Sequence, residues 1–327
     1  MSDKIRWGIL GTGGIAHKFA TGLTALSDVE IAAVGSRNQA TADKFADQYS
    51  IPRRHASYEA LAHDPDVDAI YVSTLHNLHC ENTLLCLDAG KPVICEKPFA
   101  INQGQAKRMV DRAREKKVFL MEAMWTRFLP ALVRAREIIA AGTLGELRMV
   151  VADFGFRTSV NAEGRLFNPD NGGGALLDVG IYPISLASML FGAPASIVSQ
   201  AQLGTTTGVD EQSAYLFSYA GGQLALLTSA IRTNTAHEAR IYGTDGMIRI
   251  PDWWHAKELT LTLNGKPEER IDLPFLGNGY NYEAAEVGNC VRVGKLESAV
   301  MPLDETLAIM GTLDAIRVQW GLKYPME

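Results

Sequence analysis

A glycine-rich turn close to the amino terminus constrains the fold of this chain more than any other feature of its sequence. The turn follows an apolar run at residues 5–10 and reads Gly11-Thr12-Gly13-Gly14-Ile15-Ala16, a GxGxxA pattern. In this pattern the first glycine permits a tight turn, the second lets the backbone approach a pyrophosphate, and the small last residue lets a helix pack closely. The amide groups that begin such a helix attract phosphate. The sequence therefore predicts dinucleotide binding at Gly11, Thr12, Gly13, Gly14 and Ile15.

Apolar runs and helical patterns alternate over the first third of the chain. Short apolar runs predict strands at residues 5–10, 29–34, 69–73, 92–95 and 118–121. Apolar residues at three- and four-residue spacing predict helices at residues 17–26, 41–48, 77–89 and 103–116. This alternation is typical of an α/β domain with a doubly wound parallel sheet of the Rossmann type.

The pattern changes after about Met124. A helix is predicted at 131–141 and a strand at 147–156, and consecutive strands without helices are predicted at 195–203, 212–219, 223–231 and 239–242. Asp245-Gly246 and Asn264-Gly265 are typical of hairpin turns. A chain of 327 residues favours two domains. We predict a Rossmann domain over 1–123 and an α+β domain with an open, mainly antiparallel sheet over 124–327.

Composition excludes several classes of partner. The formal net charge of −6 opposes binding to nucleic acid or to an anionic membrane. The first residues lead into an apolar strand without the features of a secretory signal, and no apolar stretch approaches the roughly 18 residues of a spanning helix. We expect a cytoplasmic protein without nucleic-acid or membrane partners. The four cysteines contain no CxxC pair, which predicts buried free thiols.

The end of the second predicted strand indicates which dinucleotide the chain prefers. An NAD-binding chain places a carboxylate there for the ribose 2′-hydroxyl. This sequence instead has Ser36 and Arg37 with no acid beside them. A hydroxyl and a guanidinium suit a 2′-phosphate, because arginine makes paired charged hydrogen bonds to it. NADP is therefore the predicted cofactor, although Arg37 is also compatible with a solvated position at a helix start.

Polar residues follow the third predicted strand of the sheet. Thr74, Leu75, His76 and His79 lie where ligands bind in open parallel sheets, and they are candidates for the nicotinamide ribose or amide. The alternative is an ordinary helix start capped by Asn77. No nearby cysteine or carboxylate completes a metal-ligand set around the two histidines, so no metal is expected.

Glu96-Lys97-Pro98 follows the strand at 92–95 and so lies at the same edge of the sheet as the glycine turn. A lysine there can donate a hydrogen bond to a substrate hydroxyl and lower its pKa, which helps because hydride removal requires loss of the hydroxyl proton. Glu96 and Lys97 are also candidate cofactor contacts. From composition alone, Lys97 is more typical of a surface lysine.

The glycine turn together with Glu96-Lys97-Pro98 resembles the glucose–fructose oxidoreductase and inositol dehydrogenase (Gfo/Idh/MocA) family, and the resemblance runs from end to end. In that family the lysine is catalytic, the Lys–Pro bond is usually cis, and the second domain is an open antiparallel sheet that often mediates dimers. The resemblance therefore implies catalysis by Lys97 and a homodimer formed through the C-terminal sheet.

Position 182 departs from the pattern of most of that family, which has histidine four residues after the equivalent of Asp178. A dihydrodiol-oxidising branch has tyrosine there, and this chain resembles it more closely over 95–98, 120–128 and 172–182. This resemblance implies that Tyr182 is the general acid or base, that Lys97 is its electrostatic partner and that Asp178 is an orienting carboxylate.

Elementary chemistry is consistent with these roles. Asp178 and Tyr182 are four residues apart, so on a helix they share one face. A phenol with a pKa near 10 is a poor base, but a neighbouring ammonium favours the phenolate. Pro183 is a poor residue inside a helix and predicts a local irregularity beside Tyr182. The alternative for Tyr182 is a half-buried core position.

Candidate substrate residues are Trp125, Arg127, Phe154 and Arg157, because aromatic faces suit a sugar or cyclohexadiene ring and arginine can hold hydroxyls. Each is also compatible with packing or a surface cation. Tyr280 and Tyr282 lie in a glycine-rich stretch and are candidates for a lid.

The sequence thus predicts an NADP-dependent oxidoreductase that acts on a hydroxyl-bearing carbon of a sugar, polyol or cyclic trans-diol. Two alternatives stay open. One is a reductase of anhydro- or deoxy-sugar ketones that uses the same Lys97 and Tyr182. The other is a regulator that senses a dinucleotide without turnover, against which the presence of both residues argues.

Overall fold

The computed structural model describes residues 4–327 and divides into two compact units. The first unit comprises the chain up to Trp125 together with Leu276–Leu307, and the second comprises Thr126–Phe275 and Ala308–Glu327. The change of sequence pattern near Met124 lies close to Trp125, where the chain first passes from one unit to the other. The sequence analysis did not predict that residues 276–307 return to the first unit.

The first unit contains a six-stranded parallel sheet in the order β3-β2-β1-β4-β5-β6. The strands are β1 (Ile5–Leu10), β2 (Val29–Gly35), β3 (Arg53–His55), β4 (Ala69–Val72), β5 (Val93–Glu96) and β6 (Leu120–Ala123). The helices are α1 (Gly14–Leu23), α2 (Gln39–Tyr49), α3 (Tyr58–Ala62), α4 (His79–Asp88) and α5 (Gln103–Lys116). The order reverses after β1, so the predicted doubly wound sheet is confirmed.

Local sequence explains how well these elements were predicted. Every residue of β4, β5 and β6 is buried, and apart from Glu96 and Glu122 all are apolar, which is why each strand reads as a mostly apolar run. The helix α5 matches its predicted bounds, because Asn102 accepts a hydrogen bond from the Gln105 amide and Lys117 ends the helix in a left-handed conformation. Strand β3 was missed because Arg53-Arg54-His55 carries no apolar signal.

The second unit contains an eight-stranded sheet in the order β14-β13-β12-β11-β7-β10-β9-β8. Its strands are β7 (Leu147–Gly155), β8 (Ser196–Leu203), β9 (Asp210–Ser218), β10 (Leu224–Ala230), β11 (Ala239–Gly243), β12 (Gly246–Ile250), β13 (Glu258–Leu263) and β14 (Glu269–Asp272). Only the β7–β10 pair is parallel among the strand pairs of residues 4–327 in this sheet. The prediction of a mainly antiparallel sheet is therefore confirmed, and both predicted hairpin turns join neighbouring strands.

Two helices of the second unit are α6 (Pro130–Ala140) and α7 (Ile181–Phe191). The segment Pro169–Phe191, which ends with α7, is long and apolar enough to cross a membrane by length and composition alone. This corrects the expectation that no apolar stretch approaches that length. Because 78% of its most apolar window is buried inside the protein, its burial is that of a core helix.

The returning segment of the first unit contains α8 (Tyr280–Arg292) and the start of α9 (Leu303–Trp320). The side chain of Asn278 donates a hydrogen bond to the Lys18 carbonyl at 2.8 Å, and Arg292 pairs with Asp28. A Cβ at Gly22 would lie 2.9 Å from the Asn278 side chain, so glycine permits this close packing. These contacts explain why residues distant in sequence complete the unit.

Candidate active site

The glycine turn lies at the carboxyl end of β1 and is built to approach a ligand. Gly11 has a φ of +105°, and a Cβ there would lie 3.0 Å from the Ser73 Oγ, so a larger residue is excluded. A Cβ at Gly13 or Gly14 would meet nothing within 4 Å. The backbone at the start of α1 therefore has open space beside it, and Gly13 supplies no capping side chain. This geometry fits the pyrophosphate of a dinucleotide.

The end of β2 presents one buried and one exposed polar residue. Ser36 is buried and its hydroxyl is hydrogen-bonded to that of Thr41. Arg37 is exposed, and its charge acts on Tyr58, whose pKa is raised by burial and lowered in part by the guanidinium. Within residues 4–327 no ion pair engages Arg37. Asn38 caps α2, so Arg37 stands at the entry to that helix with its guanidinium open to an anion.

The residues after β4 form a tight polar turn. His79 is wholly buried, with Nδ1 2.8 Å from the Pro98 carbonyl oxygen and Nε2 3.2 Å from that of Thr74. Burial lowers the pKa of His79 to about 4, so its ring is neutral at physiological pH. These contacts favour a role in fixing the Pro98 loop. His76 is also buried, with its ring 5.8 Å from that of His79.

Glu96 and Lys97 lie at the carboxyl end of β5, beside the turn after β4. The Lys97–Pro98 bond is cis, as the family resemblance implies. Glu96 is buried; it accepts a hydrogen bond from the Tyr71 hydroxyl and another from the Lys97 amide at 3.1 Å. Lys97 is half-buried. The lysine is thus anchored through its backbone by a fixed carboxylate.

A second carboxyl group near Glu96 was missed by the sequence analysis. Glu283, on α8, is fully buried, and neither of its side-chain oxygens has a hydrogen-bond partner within residues 4–327. Burial and the charge of Glu96 raise the pKa of Glu283 well above its usual range. Burial therefore favours the protonated form of Glu283. The acid directly follows residues 277–282, which the sequence analysis treated only as a possible lid.

The second unit carries Asp178 and Tyr182 on an irregular helix. Asp178 lies in a π-helical turn (Leu176–Gly180), and Tyr182 lies in the first turn of α7. The π-helical turn explains how Pro183 is accommodated, because its missing N–H falls where the regular ladder is interrupted. The irregularity predicted beside Tyr182 is thus present. Asp178 is buried and pairs with Arg165 at 2.7 Å.

Tyr182 is buried among aromatic residues from other parts of the second unit. The ring of Phe154, at the end of β7, lies 5.2 Å from that of Tyr182. The rings of His237 and Trp254 each lie 5.1 Å from that of Phe154. We call Phe154, Tyr182, His237 and Trp254 the aromatic cluster. Such faces suit the ring of a sugar or cyclic diol.

His237 and Trp254 were not predicted. His237 has a φ of +56°, and its Nε2 lies 2.6 Å from the Gly155 carbonyl oxygen. Trp254 donates to the other nitrogen of that ring at 3.3 Å. The sequence signal that could have found Trp254 is Trp253-Trp254-His255, which concentrates two of the chain's five tryptophans between strands.

The other predicted substrate residues are dispersed. Arg127 is buried and donates to Ser185 on α7, through Nε to its Oγ and through Nη2 to its carbonyl oxygen. Arg157 is exposed beyond the end of β7. Trp125, in the first unit, stacks on Tyr280 with ring centroids 4.5 Å apart.

The lid hypothesis for Tyr280 and Tyr282 stays a prediction. Both lie in the first turn of α8, and the Tyr282 hydroxyl accepts a hydrogen bond from the Leu276 amide. They are therefore part of a packed helix start. Lys97 belongs to the first unit and Tyr182 to the second, so their meeting over a cofactor stays a prediction.

The four cysteines are buried and free, as predicted. Among residues 4–327, no three His, Cys, Asp or Glu side chains are grouped so as to hold a metal ion. The chemistry present is that of a lysine and carboxyl groups beside the dinucleotide turn in the first unit, and of a phenol and a carboxyl group in the second.

A doubly wound sheet with an open glycine turn, joined to a second unit that presents a phenol among aromatic rings, defines a nicotinamide dinucleotide-dependent oxidoreductase. Residues 5–124 match the model of an oxidoreductase family with an NAD-binding Rossmann fold, and residues 132–249 match the GFO/IDH/MocA C-terminal domain. The chain belongs to the Gfo/Idh/MocA oxidoreductase family. It is an enzyme that acts on CH–OH groups.

Individual relatives extend over the whole chain. A trans-1,2-dihydrobenzene-1,2-diol dehydrogenase from Mus musculus is 40% identical over 335 residues, covering 99% of each protein. The human enzyme of that name is 37% identical with the same coverage. An aldose-aldose oxidoreductase from Caulobacter crescentus superposes with a TM-score of 0.88 at 25% identity, covering 98% of each chain. A 3-ketoreductase from Actinomadura kijaniata, solved with NADP and TDP-benzene, has a TM-score of 0.86 at 26% identity, covering 96% of this chain and 97% of its own.

Proposed function

We propose that this enzyme transfers a hydride reversibly between NADP and a hydroxyl-bearing carbon of a pyranose sugar or a cyclic trans-diol. The observation that carries the proposal is the position of Tyr182, a buried phenol within the aromatic cluster and four residues from the buried Asp178. The names of the relatives, which are diol and aldose oxidoreductases, support the same substrate class.

The proposed chemistry uses three side chains of this protein. In the oxidative direction the Tyr182 phenolate accepts the hydroxyl proton while the hydride leaves the same carbon, and in the reductive direction the phenol returns that proton. The Lys97 ammonium favours the phenolate form of Tyr182, and the Asp178 carboxylate orients the phenol. The bound nicotinamide supplies the hydride acceptor. The turn Gly11–Ile15 would hold its pyrophosphate, and Ser36 and Arg37 would hold the ribose end.

The substrate class is tested with purified enzyme and NADP(H). We expect NADP reduction with a trans-dihydrodiol or an aldopyranose, measured as absorbance of the reduced nicotinamide. Turnover confined to keto-sugars with NADPH would instead support a sugar-ketone reductase, which the likeness to a 3-ketoreductase favours as the second candidate. Tight NADP binding with no turnover on any of these compounds would contradict both and favour a dinucleotide-sensing regulator.

The preference for NADP is assigned to Arg37. We expect Arg37→Asp to weaken NADP binding by about 1.5–3 kcal/mol through lost charged hydrogen bonds, which is roughly 10- to 150-fold. Binding of NAD should not weaken, since an aspartate there can accept from the ribose hydroxyl. Titration calorimetry with both dinucleotides measures this. Arg108→Asp, on the exposed surface of α5, is the control, and equal affinity of the parent enzyme for NAD and NADP would contradict the assignment.

We also propose that the enzyme is a homodimer formed through the eight-stranded sheet. One face of this sheet is open and carries an apolar row. Val198 pairs with Leu216, Leu216 with Leu226, and Leu226 with Val151. The side chains of Val198, Leu216 and Leu226 are 63%, 44% and 41% exposed. A second copy of the same row is a suitable cover, because two-fold symmetry matches a patch with itself.

The dimer proposal predicts the effect of a charge on that row. Leu216→Glu should convert the dimer to a monomer, as measured by light scattering on a sizing column, because the charge would be buried against its own copy. The melting temperature of the monomer should stay close to that of the parent, since the side chain at position 216 is exposed in the isolated protomer. Lys266→Glu, in the turn after β13, is the control. A monomeric parent enzyme would refute the proposal.

We also propose a cytoplasmic location. The enzyme works in the cytoplasm, without nucleic-acid or membrane partners, which the four buried free thiols and the net charge of −6 support.

A further inference from the structure

We propose that Asp210 is a positioning residue that holds the helix of Tyr182 in its working position. This inference rests on the proposed function of Tyr182. Asp210 is the first residue of β9 and belongs to none of the predicted site residues. It lies in the second unit, as does the whole network described below.

The contact that carries the proposal is a buried hydrogen bond. Asp210 is 0% exposed, and its Oδ2 accepts from the Leu176 amide at 2.6 Å. Leu176 begins the π-helical turn that contains Asp178 and leads directly into α7 and Tyr182. The first amides of a helix carry partial positive charge and lack partners within the helix. The Asp210 carboxylate therefore fixes the start of residues 176–182, the segment that carries Asp178 and Tyr182.

The turn before Leu176 is shaped around the same carboxyl group. Gly174 has a φ of +118°, and a Cβ at this position would overlap the Asp210 Oδ1. Only glycine allows this approach, because a side chain would be strained by its conformation and displaced by the carboxylate. Gly174, the last of three consecutive glycines, thus serves the packing of Asp210, which is a reason for it that the sequence alone did not provide.

A second contact holds this turn from the C-terminal end of the chain. The hydroxyl of the buried Tyr324 donates to the Gly173 carbonyl oxygen at 2.6 Å. Arg317, on α9, lies over the Tyr324 ring at 5.0 Å and pairs with Asp314 and Glu327, each at 2.6 Å. The turn at residues 172–176 is therefore fixed through the Gly173 carbonyl by Tyr324 and through the Leu176 amide by Asp210.

The charge of Asp210 changes within the working range of pH. Burial raises the pKa of Asp210 to about 7, against the opposing effect of the backbone amides and of Arg317. The other titratable groups facing it are the phenols of Tyr215 and Tyr324, both of which have a pKa above the ordinary value and are neutral. The ionised carboxylate is the stronger acceptor for the Leu176 amide. Positioning should therefore weaken below about pH 7.

The raised pKa of Asp210 also predicts how the stability of the folded state changes with pH. A carboxyl group whose pKa is raised by folding destabilises the folded state once it ionises. The free energy of unfolding begins to fall near the ordinary pKa of 3.8, and the fall is complete above about pH 7. Asp210→Asn removes the charge and keeps an acceptor oxygen. The melting temperature of this variant relative to the parent should therefore be higher at pH 8 than at pH 5.

The test compares Asp210→Ala, Asp210→Asn and Glu211→Gln, the last being a neighbouring acid on β9 that does not contact Leu176. We expect the alanine variant to lose roughly 10- to 100-fold in kcat through misplacement of the phenol, with NADP affinity unchanged. Asparagine, a neutral acceptor like the protonated acid, should be faster than alanine at every pH and should match the parent only below about pH 7. The fall of kcat below pH 7 should be present in the parent and absent from Asp210→Asn.

A readout independent of turnover separates this proposal from the proposed function. In protein containing ¹³C-labelled tyrosine, the Tyr182 resonance, assigned with Tyr182→Phe, should shift in Asp210→Ala and not in Glu211→Gln. A shift without any detectable turnover in the parent would support the positioning contact while contradicting the function. An unshifted resonance would overturn the positioning role, as would full kcat in Asp210→Ala. Equal losses of kcat and melting temperature in the alanine and asparagine variants would also overturn it.

Discussion

Replacement of Tyr182 by phenylalanine is expected to lower kcat by about 10²- to 10⁴-fold, the range that general acid–base catalysis contributes. The phenylalanine ring keeps its packing against Phe154 within the aromatic cluster, so the fold should be retained. Only the proton-transferring hydroxyl is lost. Steady-state kinetics in both directions, together with titration of NADP, measures the effect, and the dissociation constant of NADP should stay close to that of the parent.

The matched control for this substitution is Tyr219→Phe. Tyr219 lies directly after β9, is buried, and its hydroxyl has no hydrogen-bond partner within residues 4–327. It packs against Phe191 at the far end of α7. We expect removal of this hydroxyl to change kcat by less than about twofold, because no hydrogen bond is lost. Unchanged turnover in Tyr182→Phe would remove this residue from the mechanism.

Lys97→Met provides a second measurement of the same mechanism. The variant keeps the length of the side chain and loses the ammonium, so kcat should again fall by orders of magnitude while NADP still binds. Lys107→Met on α5, where the lysine is exposed and paired with Asp111, is the control. Since Lys97 and Tyr182 are required to act together, the double variant should be little slower than either single one. Additive losses would contradict their meeting over the nicotinamide.

Gly13→Val is expected to abolish most of the affinity for the dinucleotide without unfolding the protein. A Cβ at Gly13 meets no atom within 4 Å, so the valine side chain would stand in the space where the pyrophosphate approaches the backbone. Each charged hydrogen bond lost costs about 1.5–3 kcal/mol, or roughly 10- to 150-fold in affinity. Binding is measured by calorimetry or by quenching of protein fluorescence.

The folding of this variant must be measured beside its binding. The melting temperature without cofactor should stay close to that of the parent, since the substituted position is open. Gly104→Ala, the second residue of α5, is the control, and it should leave both affinity and melting temperature nearly unchanged. Normal NADP affinity in Gly13→Val would show that the dinucleotide does not use this turn.

The sequence predicted the site unevenly. The glycine turn and the Glu96-Lys97-Pro98 segment were located correctly because each follows an apolar strand whose end can be read locally. Arg127 is a different case. It was proposed as a substrate contact, but its guanidinium donates to Ser185 on α7. Composition cannot distinguish an arginine that binds hydroxyls from one that supports a helix, because both need the same donors.

The sequence by itself determined those features that depend on residues near one another in the chain. These are the alternation of strands and helices in the first unit, the hairpins of the second unit, the bounds of α5, the glycine turn at 11–16 and the irregularity at Pro183. Periodicity and turn chemistry encode such features, since each depends on contacts within one helix turn, strand or hairpin.

Only the tertiary structure decided which distant residues meet. It joined His237 and Trp254 to Phe154 and Tyr182, brought Asp210 to the Leu176 amide, and returned residues 276–307 to the first unit. A strand or helix pattern shows which face of an element is buried but not which partner covers it. The partner is set by the packing of whole elements, and that is why the groups around the phenol could not be read from the chain alone.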